Sequence, residues 1–244
     1  MTIITGGRPY YGESIGIIML DTQFPRIPGD VGNASTFAFP VRYRVVRGAS
    51  PSRVVLERDP SLLAPFVEAA QELASEGVRA ITTSCGFLAL FQREMASAVD
   101  IPVFTSSLLQ APIVYRMLKP DQCIGILTAH GETLEPRHLR AVGIDESVPV
   151  VVQGSQDTPA FYETFVKNGR QLDVEAAEAG VVKMATDLLV RHPNVGAFVC
   201  EGTNFSSFGP AVQEATGLPF FDIVTLTRWV HEAVVRRRVM GGFL

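Results

Sequence analysis

Ile81-Thr82-Thr83-Ser84-Cys85-Gly86-Phe87 changes character halfway along. Ile81, Thr82 and Thr83 are β-branched and suit a packed, pleated strand. From Leu88 the apolar residues fall at Leu88, Phe91, Met95 and Val99, the spacing of a helix face. Cys85 is thereby placed at the carboxyl end of a strand, before the first N–H groups of a helix. Open α/β sheets bind ligands there, and a helix N-terminus favours a thiolate. A lone cysteine is more often a small buried hydrophobe. Its position at the strand-to-helix turn marks Cys85 as a candidate catalytic group, expected to ionise more readily than a free thiol.

The 244 residues suffice for one large domain or two small ones. Hydrophobic residues at 47% and charged residues at 19% describe an ordinary globular protein. A net charge of −4 leaves no basic surplus for phosphates, so nucleic acid is not an expected partner. Arg236-Arg237-Arg238 reads as the solvated end of a helix. Cys85, Cys123 and Cys200 show neither metal-ligand spacing nor a CxxC pair, so no metal is expected and a reducing cytoplasm fits. The first apolar run, Ile15 to Leu20, is too short for a signal peptide and closes at Asp21. No run approaches the roughly 18 apolar residues of a membrane span, so no membrane partner is expected.

Ile15 to Leu20 reads as a buried parallel strand, being apolar on both faces. Residues 22–40 hold Pro25, Pro28, Gly29, Gly32 and Pro40 without a period, a long loop of the kind that covers a site. Val41 to Val46 alternates as a more exposed strand, and Asp59-Pro60 opens a helix running to Gly77. After the Cys85 segment come a short strand at Ile101 to Phe104 and a helical stretch from Leu108 to Leu118. The plan then repeats: strand at Ile124 to Leu127, helix at Glu135 to Val142, strand at Val148 to Val152, and a long helix capped by Asp173. Val195 to Cys200 is a strand, Phe205 to Ala215 a helix, Leu218 to Phe221 a strand, and Thr225 to Val239 an amphipathic helix carrying Trp229. Aligning Pro102 with Pro219 superposes the halves and places Gly202, not Cys200, opposite Cys85. The expected fold is therefore α/β: two pseudo-symmetric parallel-sheet lobes from an internal duplication, with the site in the cleft between them. The first lobe is expected over 1–107 and the second over 108–224.

Four motifs in this order resemble the aspartate/glutamate racemase superfamily: Ile17-Ile18-Met19-Leu20-Asp21, Thr83-Ser84-Cys85-Gly86, Gly125-Ile126-Leu127-Thr128 and Glu201-Gly202-Thr203-Asn204. That group includes amino-acid and hydantoin racemases, maleate isomerase and arylmalonate decarboxylase. The resemblance covers nearly the whole chain and implies cofactor-independent chemistry beside the carboxylate of a small amino-acid-like or dicarboxylate substrate. It also implies that residues 225–244 pack back on the first lobe. The racemases carry a second cysteine where this chain has Gly202, so symmetric two-thiol racemisation is in question. The decarboxylase also keeps one thiol, but in the second loop, the mirror of this arrangement.

The expectation is an isomerase acting through a Cys85 thiolate. The alternatives are a one-thiol decarboxylase or lyase of malonate-like acids, or a non-catalytic descendant that binds a small ligand. Asp21 is where the racemases carry an acid assisting the thiol, though it reads equally as a cap. His130 stands where related enzymes carry a carboxylate-binding tyrosine, and is a candidate second acid–base group. Thr83, Ser84, Gly86, Phe87, Gly202, Thr203 and Asn204 are candidate substrate contacts through hydroxyl, amide or backbone N–H groups. Arg26 in the long loop is read as a solvated arginine rather than a carboxylate clamp. A homo-oligomer is compatible with the sequence, which does not fix the subunit number.

Overall fold

The computed structural model describes residues 3–236. Eight strands form two four-stranded, wholly parallel sheets. The first contains β1 (Ile15–Leu20), β2 (Val41–Val46), β3 (Ala80–Thr83) and β4 (Val103–Phe104), in the order β2-β1-β3-β4. The second contains β5 (Cys123–Thr128), β6 (Val150–Gly154), β7 (Val195–Cys200) and β8 (Phe220–Phe221), in the order β6-β5-β7-β8. The identical strand order is the duplication expected from the matched prolines. β1, β3, β5 and β7 are buried along their whole length, which explains their apolar or β-branched runs.

The helices are α1 (Leu63–Glu76), α2 (Gln92–Ser97), α3 (Ala111–Tyr115), α4 (Pro136–Ala141), α5 (Pro159–Phe161), α6 (Val174–Arg191), α7 (Gly209–Thr216) and α8 (Ile223–Val234). Asp173 caps α6 by accepting from the Ala176 N–H at 3.0 Å. Each site-bearing strand leads first into a 3-10 helix, Gly86–Phe91 or Thr203–Phe208, and only then into α2 or α7. The sequence predicts continuous helices at both places. The final helix starts at Ile223 with Asp222 as its cap and ends at Val234, short of the expected Val239. Arg237, Arg238 and Val239 lie outside the described residues.

One apolar cluster runs from Ile18 and Leu73 through Phe87 and Leu88 to Ile124, Ile126 and Val199, so the sheets share a core. Ile223, Val224 and Leu226 of α8 lie in a second cluster with Ile15, Ile17 and Phe104 of the first sheet. Arg58 and Glu135 form an ion pair across the junction. His138 of α4 is wholly buried there, edge-on to Phe87 with ring centroids 5.1 Å apart. Its Nδ1 accepts from the Glu135 N–H at 3.1 Å.

Burial lowers the His138 pKa from 6.5 to about 4. The unfolded chain therefore binds this proton more readily. The stability His138 lends is complete above pH 6.5 and is lost as pH falls through about 4. At 1.36 kcal/mol per unit, the loss is about 3 kcal/mol. Urea unfolding of the wild type and His138→Phe over this range should show the extra acid sensitivity only in the wild type.

Candidate active site

Cys85 and Gly202 occupy equivalent positions. Each ends a central strand in extended backbone and caps the following 3-10 helix, with φ −154° and ψ 119° for Cys85 and φ −71° and ψ 126° for Gly202. Both line one small cavity of about 30 Å³ with Leu20, Thr22, Ser84, Glu201, Thr203 and Asn204. Phe24, Phe165 and Val166 supply apolar wall. A space of that size matches about one water molecule. Larger hollows of about 710 and 790 Å³ lie on the outer face of the second lobe and include none of these residues.

Beside Pro51 and Val55, the wall takes Thr22 and Phe24 from the long proline-containing loop. Asp30 within it is nearly buried and pairs with Arg26 at 2.6 Å. The Asn204 amide donates to the other Asp30 oxygen at 2.6 Å, tying the loop to the second lobe. The Gln23 N–H donates to Asn168 at 2.9 Å, and Arg170 donates to the Gln23 side chain at 2.7 Å. Arg26 also donates to Thr22 at 3.0 Å and lies over the Phe24 ring, so it is neither solvated nor free to clamp a ligand.

The remaining candidates divide by what their polar groups already do. Ser84 lines the cavity, its hydroxyl accepting from the Leu20 N–H at 2.9 Å. Thr203 donates across the junction to the Ser84 carbonyl at 2.8 Å and so fixes the Cys85 loop. Thr83 does not reach the cavity; its hydroxyl donates to the Thr105 carbonyl at 2.7 Å and accepts from the Cys85 N–H at 3.4 Å. Phe87 is packed in the junction against His138 rather than at the cavity. Gly86 is pressed on the second lobe: a Cβ there would lie 2.2 Å from the Glu201 carbonyl oxygen and 2.6 Å from its Oε1.

Asp21 does not line the cavity; it accepts from the Gly48 N–H at 3.0 Å and faces Arg47. His130 stands beside Tyr162, with centroids 6.0 Å apart, and its neighbour Ala129 takes the place at the cavity wall. Cys200 is wholly buried in β7, and its carbonyl accepts from the Ser107 hydroxyl.

Two findings depart from the sequence reading. Burial and then the neighbouring Glu201 carboxylate push the Cys85 thiol up, although the N–H groups of Phe87 and Leu88 and the Arg26 charge oppose this. The expected easily ionised thiol is therefore corrected: desolvation outweighs the helix start. The second is Glu201 itself, which follows a wholly buried strand and is itself fully buried. Its Oε2 accepts from the Thr128 hydroxyl at 2.8 Å and the Ala129 N–H at 3.3 Å, while Oε1 has no hydrogen-bond partner. Burial raises its pKa from 4.5 to about 7. The signal in the sequence was an acid directly after six residues of apolar strand, Val195 to Cys200.

A Cβ on Gly202 would lie 2.8 Å from the Phe205 ring, which stacks on Phe161 with centroids 4.2 Å apart. The direction in which a second thiol would project is thus filled by an aromatic ring. Among the described residues no cluster of three metal-binding side chains occurs, and no helix is long and apolar enough to cross a membrane.

No protein-family model matches the chain. A dimethylsulfoniopropionate lyase from Durusdinium sp. clade D is 33% identical over 217 residues, covering 86% of this chain and 71% of that protein. Dimethylsulfoniopropionate lyase 6 of Emiliania huxleyi is 35% identical over 221 residues, 87% of this chain but 57% of that protein. The chain thus spans little more than half the length of that Emiliania relative. Among solved structures, a glycine-to-cysteine variant of arylmalonate decarboxylase superposes with a TM-score of 0.61 at 17% identity, over 91% of this chain and 92% of that one. Picrophilus torridus aspartate racemase gives 0.56 at 13% identity, over 91% and 94%. At such identities the likeness concerns the fold, which is that of the aspartate/glutamate racemase superfamily. The curated relatives bear the names of lyases rather than isomerases.

Proposed function

The chain belongs to the dimethylsulfoniopropionate lyase family, and from that premise we propose that it is a lyase cleaving a small β-substituted propionate by elimination, with Cys85 acting at the α carbon. The observation that carries this reading is the one-sided site, a thiol opposite a glycine whose open direction Phe205 fills. Racemisation needs a second group to return a proton from the other face, whereas elimination only removes one.

In a β-sulfoniopropionate the α proton passes to the protein. The C–H electron pair becomes the Cα=Cβ bond, and the Cβ–S pair leaves on sulfur as a neutral sulfide. Charge developing at the α carbon spreads into the carboxylate. Phe165 offers aromatic surface to a sulfonium cation. Ser84, Thr203 and Asn204 act on this reading mainly by fixing the cavity walls.

The test is incubation with dimethylsulfoniopropionate, following dimethyl sulfide and acrylate, beside a panel of amino acids, maleate and malonates in deuterium oxide. Sulfide with equal acrylate is the expected result. Racemisation or decarboxylation without sulfide would sink the reading. Gly202→Cys should not create a racemase. The added side chain meets Phe205 and should cost about 1–3 kcal/mol of stability in urea unfolding, with no gain in α-deuterium exchange on chiral amino acids. Phe205→Ala in the same chain should relieve the clash, while opening a gap behind Phe161.

A further inference from the structure

We infer that Glu201 is a second catalytic residue: its Oε1 takes the thiol proton of Cys85 and later gives that proton to water. The inference deepens the elimination reading and rests on it for the substrate. Four observations carry it. Glu201 and Cys85 line the same cavity, and Glu201 is fully buried with Oε1 unpartnered. The bare Gly86 between them brings Glu201 against the Cys85 turn, where any Cβ would lie 2.6 Å from Oε1. The Glu201 carboxylate is near enough for its charge to act on the Cys85 sulfur. A buried thiol with no second cysteine opposite it has no other carboxylate in the cavity wall to receive its proton.

The groups that set the balance come from four elements. Thr128 and Ala129 hold Oε2, and Phe87 faces the carboxylate from the first lobe. Arg26 acts on the sulfur from the loop, opposed there by the charge of Glu201 itself. Cys200 lies behind Glu201 and is kept neutral by burial and by Asp222. His130 follows Ala129 on the same loop.

The cycle closes in protons and electrons. At rest the pair holds one proton, on sulfur. Transfer to Glu201 leaves a thiolate beside a neutral carboxyl. The thiolate takes the α proton, the C–H pair forms the double bond and the sulfide departs with the Cβ–S pair. Cys85 is again a thiol, and Glu201 returns its proton to water when the cavity opens.

This arrangement has a signature that needs no turnover. Moving the proton from sulfur to carboxylate leaves the pair's proton count unchanged. The wild-type rate of Cys85 alkylation by iodoacetamide, read by peptide mass spectrometry, should therefore rise tenfold per pH unit and level off above about pH 7. In Glu201→Gln the solvent is the only proton acceptor and burial still holds the thiol up, so the rise should continue well past pH 7 without levelling there. Thr128→Val removes a donor that lowers the carboxyl's pKa, so the levelling point should move upward. A wild-type rate still climbing tenfold per unit above pH 7 would reduce Glu201 to a structural residue. Dimethyl sulfide release should fall about 10²–10⁴-fold in Glu201→Gln. A levelling profile in a wild type that releases no sulfide would sink the substrate assignment and leave the pair standing. Sulfide release with no levelling would do the reverse.

Discussion

Cys85→Ser should lower dimethyl sulfide release by about 10²–10⁴-fold or more, while Cys200→Ser keeps most of it. Both cysteines are buried, Cys200 completely, but they differ in what they face. Cys85 lines the cavity at the end of β3. Cys200 lies within β7, two residues before Gly202, a strand step of about 6.5 Å from the site. Burial holds both thiols neutral, so the proton acceptor beside each decides its use. Serine preserves the size of either side chain and leaves an alcohol too weakly acidic to act as base. Equal losses in the two variants, with unfolding midpoints unchanged, would transfer the chemistry to Cys200.

Gly86→Ala is expected to be the most damaging single methyl. The new Cβ would lie 2.2 Å from the Glu201 carbonyl oxygen and 3.0 Å from its carbonyl carbon. These are backbone atoms, and the Glu201 N–H is bonded to the Leu127 carbonyl at 2.8 Å, so no side chain can swing aside. Relief must come from separating the lobes at the point where Thr203 also ties them together. Overpacking of this kind costs about 3 kcal/mol and sometimes more. Urea unfolding should show that loss. Turnover measured where the variant is still folded should also fall, because the same displacement parts Cys85 from Glu201. An unchanged midpoint would contradict the tight apposition of the two turns.

Most of the architecture was legible because it rests on burial. Helices on both faces force continuous apolar strands, and Ile15 to Leu20 and Val195 to Cys200 are strands over those spans. The pairing of Cys85 with Gly202 also followed from the repeat, since equal strand order puts equal turns at equal places. The first turns after those residues were misread because a 3-10 helix and an α-helix share their apolar residues over so short a span. At the site, composition indicated which side chains had polar groups but not which groups were already engaged. Thr83 spends its hydroxyl on β4's end, Asp21 on Gly48, and neither reaches the cavity. Glu201 was passed over because its motif was read for the residue after it. Its importance depends on depth and on a missing partner for Oε1, which local sequence does not encode.

The loop fastened by Asp30 to Asn204 has a consequence for timing. A ligand larger than the cavity of about 30 Å³ would need that fastening and the Gln23 contacts to give way. Association is then two events in series, an opening whose frequency belongs to the protein and an encounter that scales with ligand. At low concentration the observed rate rises in proportion to ligand, and at high concentration it reaches a ceiling equal to the opening frequency. On the elimination proposed above, the same fastening would delay the sulfide and its acrylate partner alike.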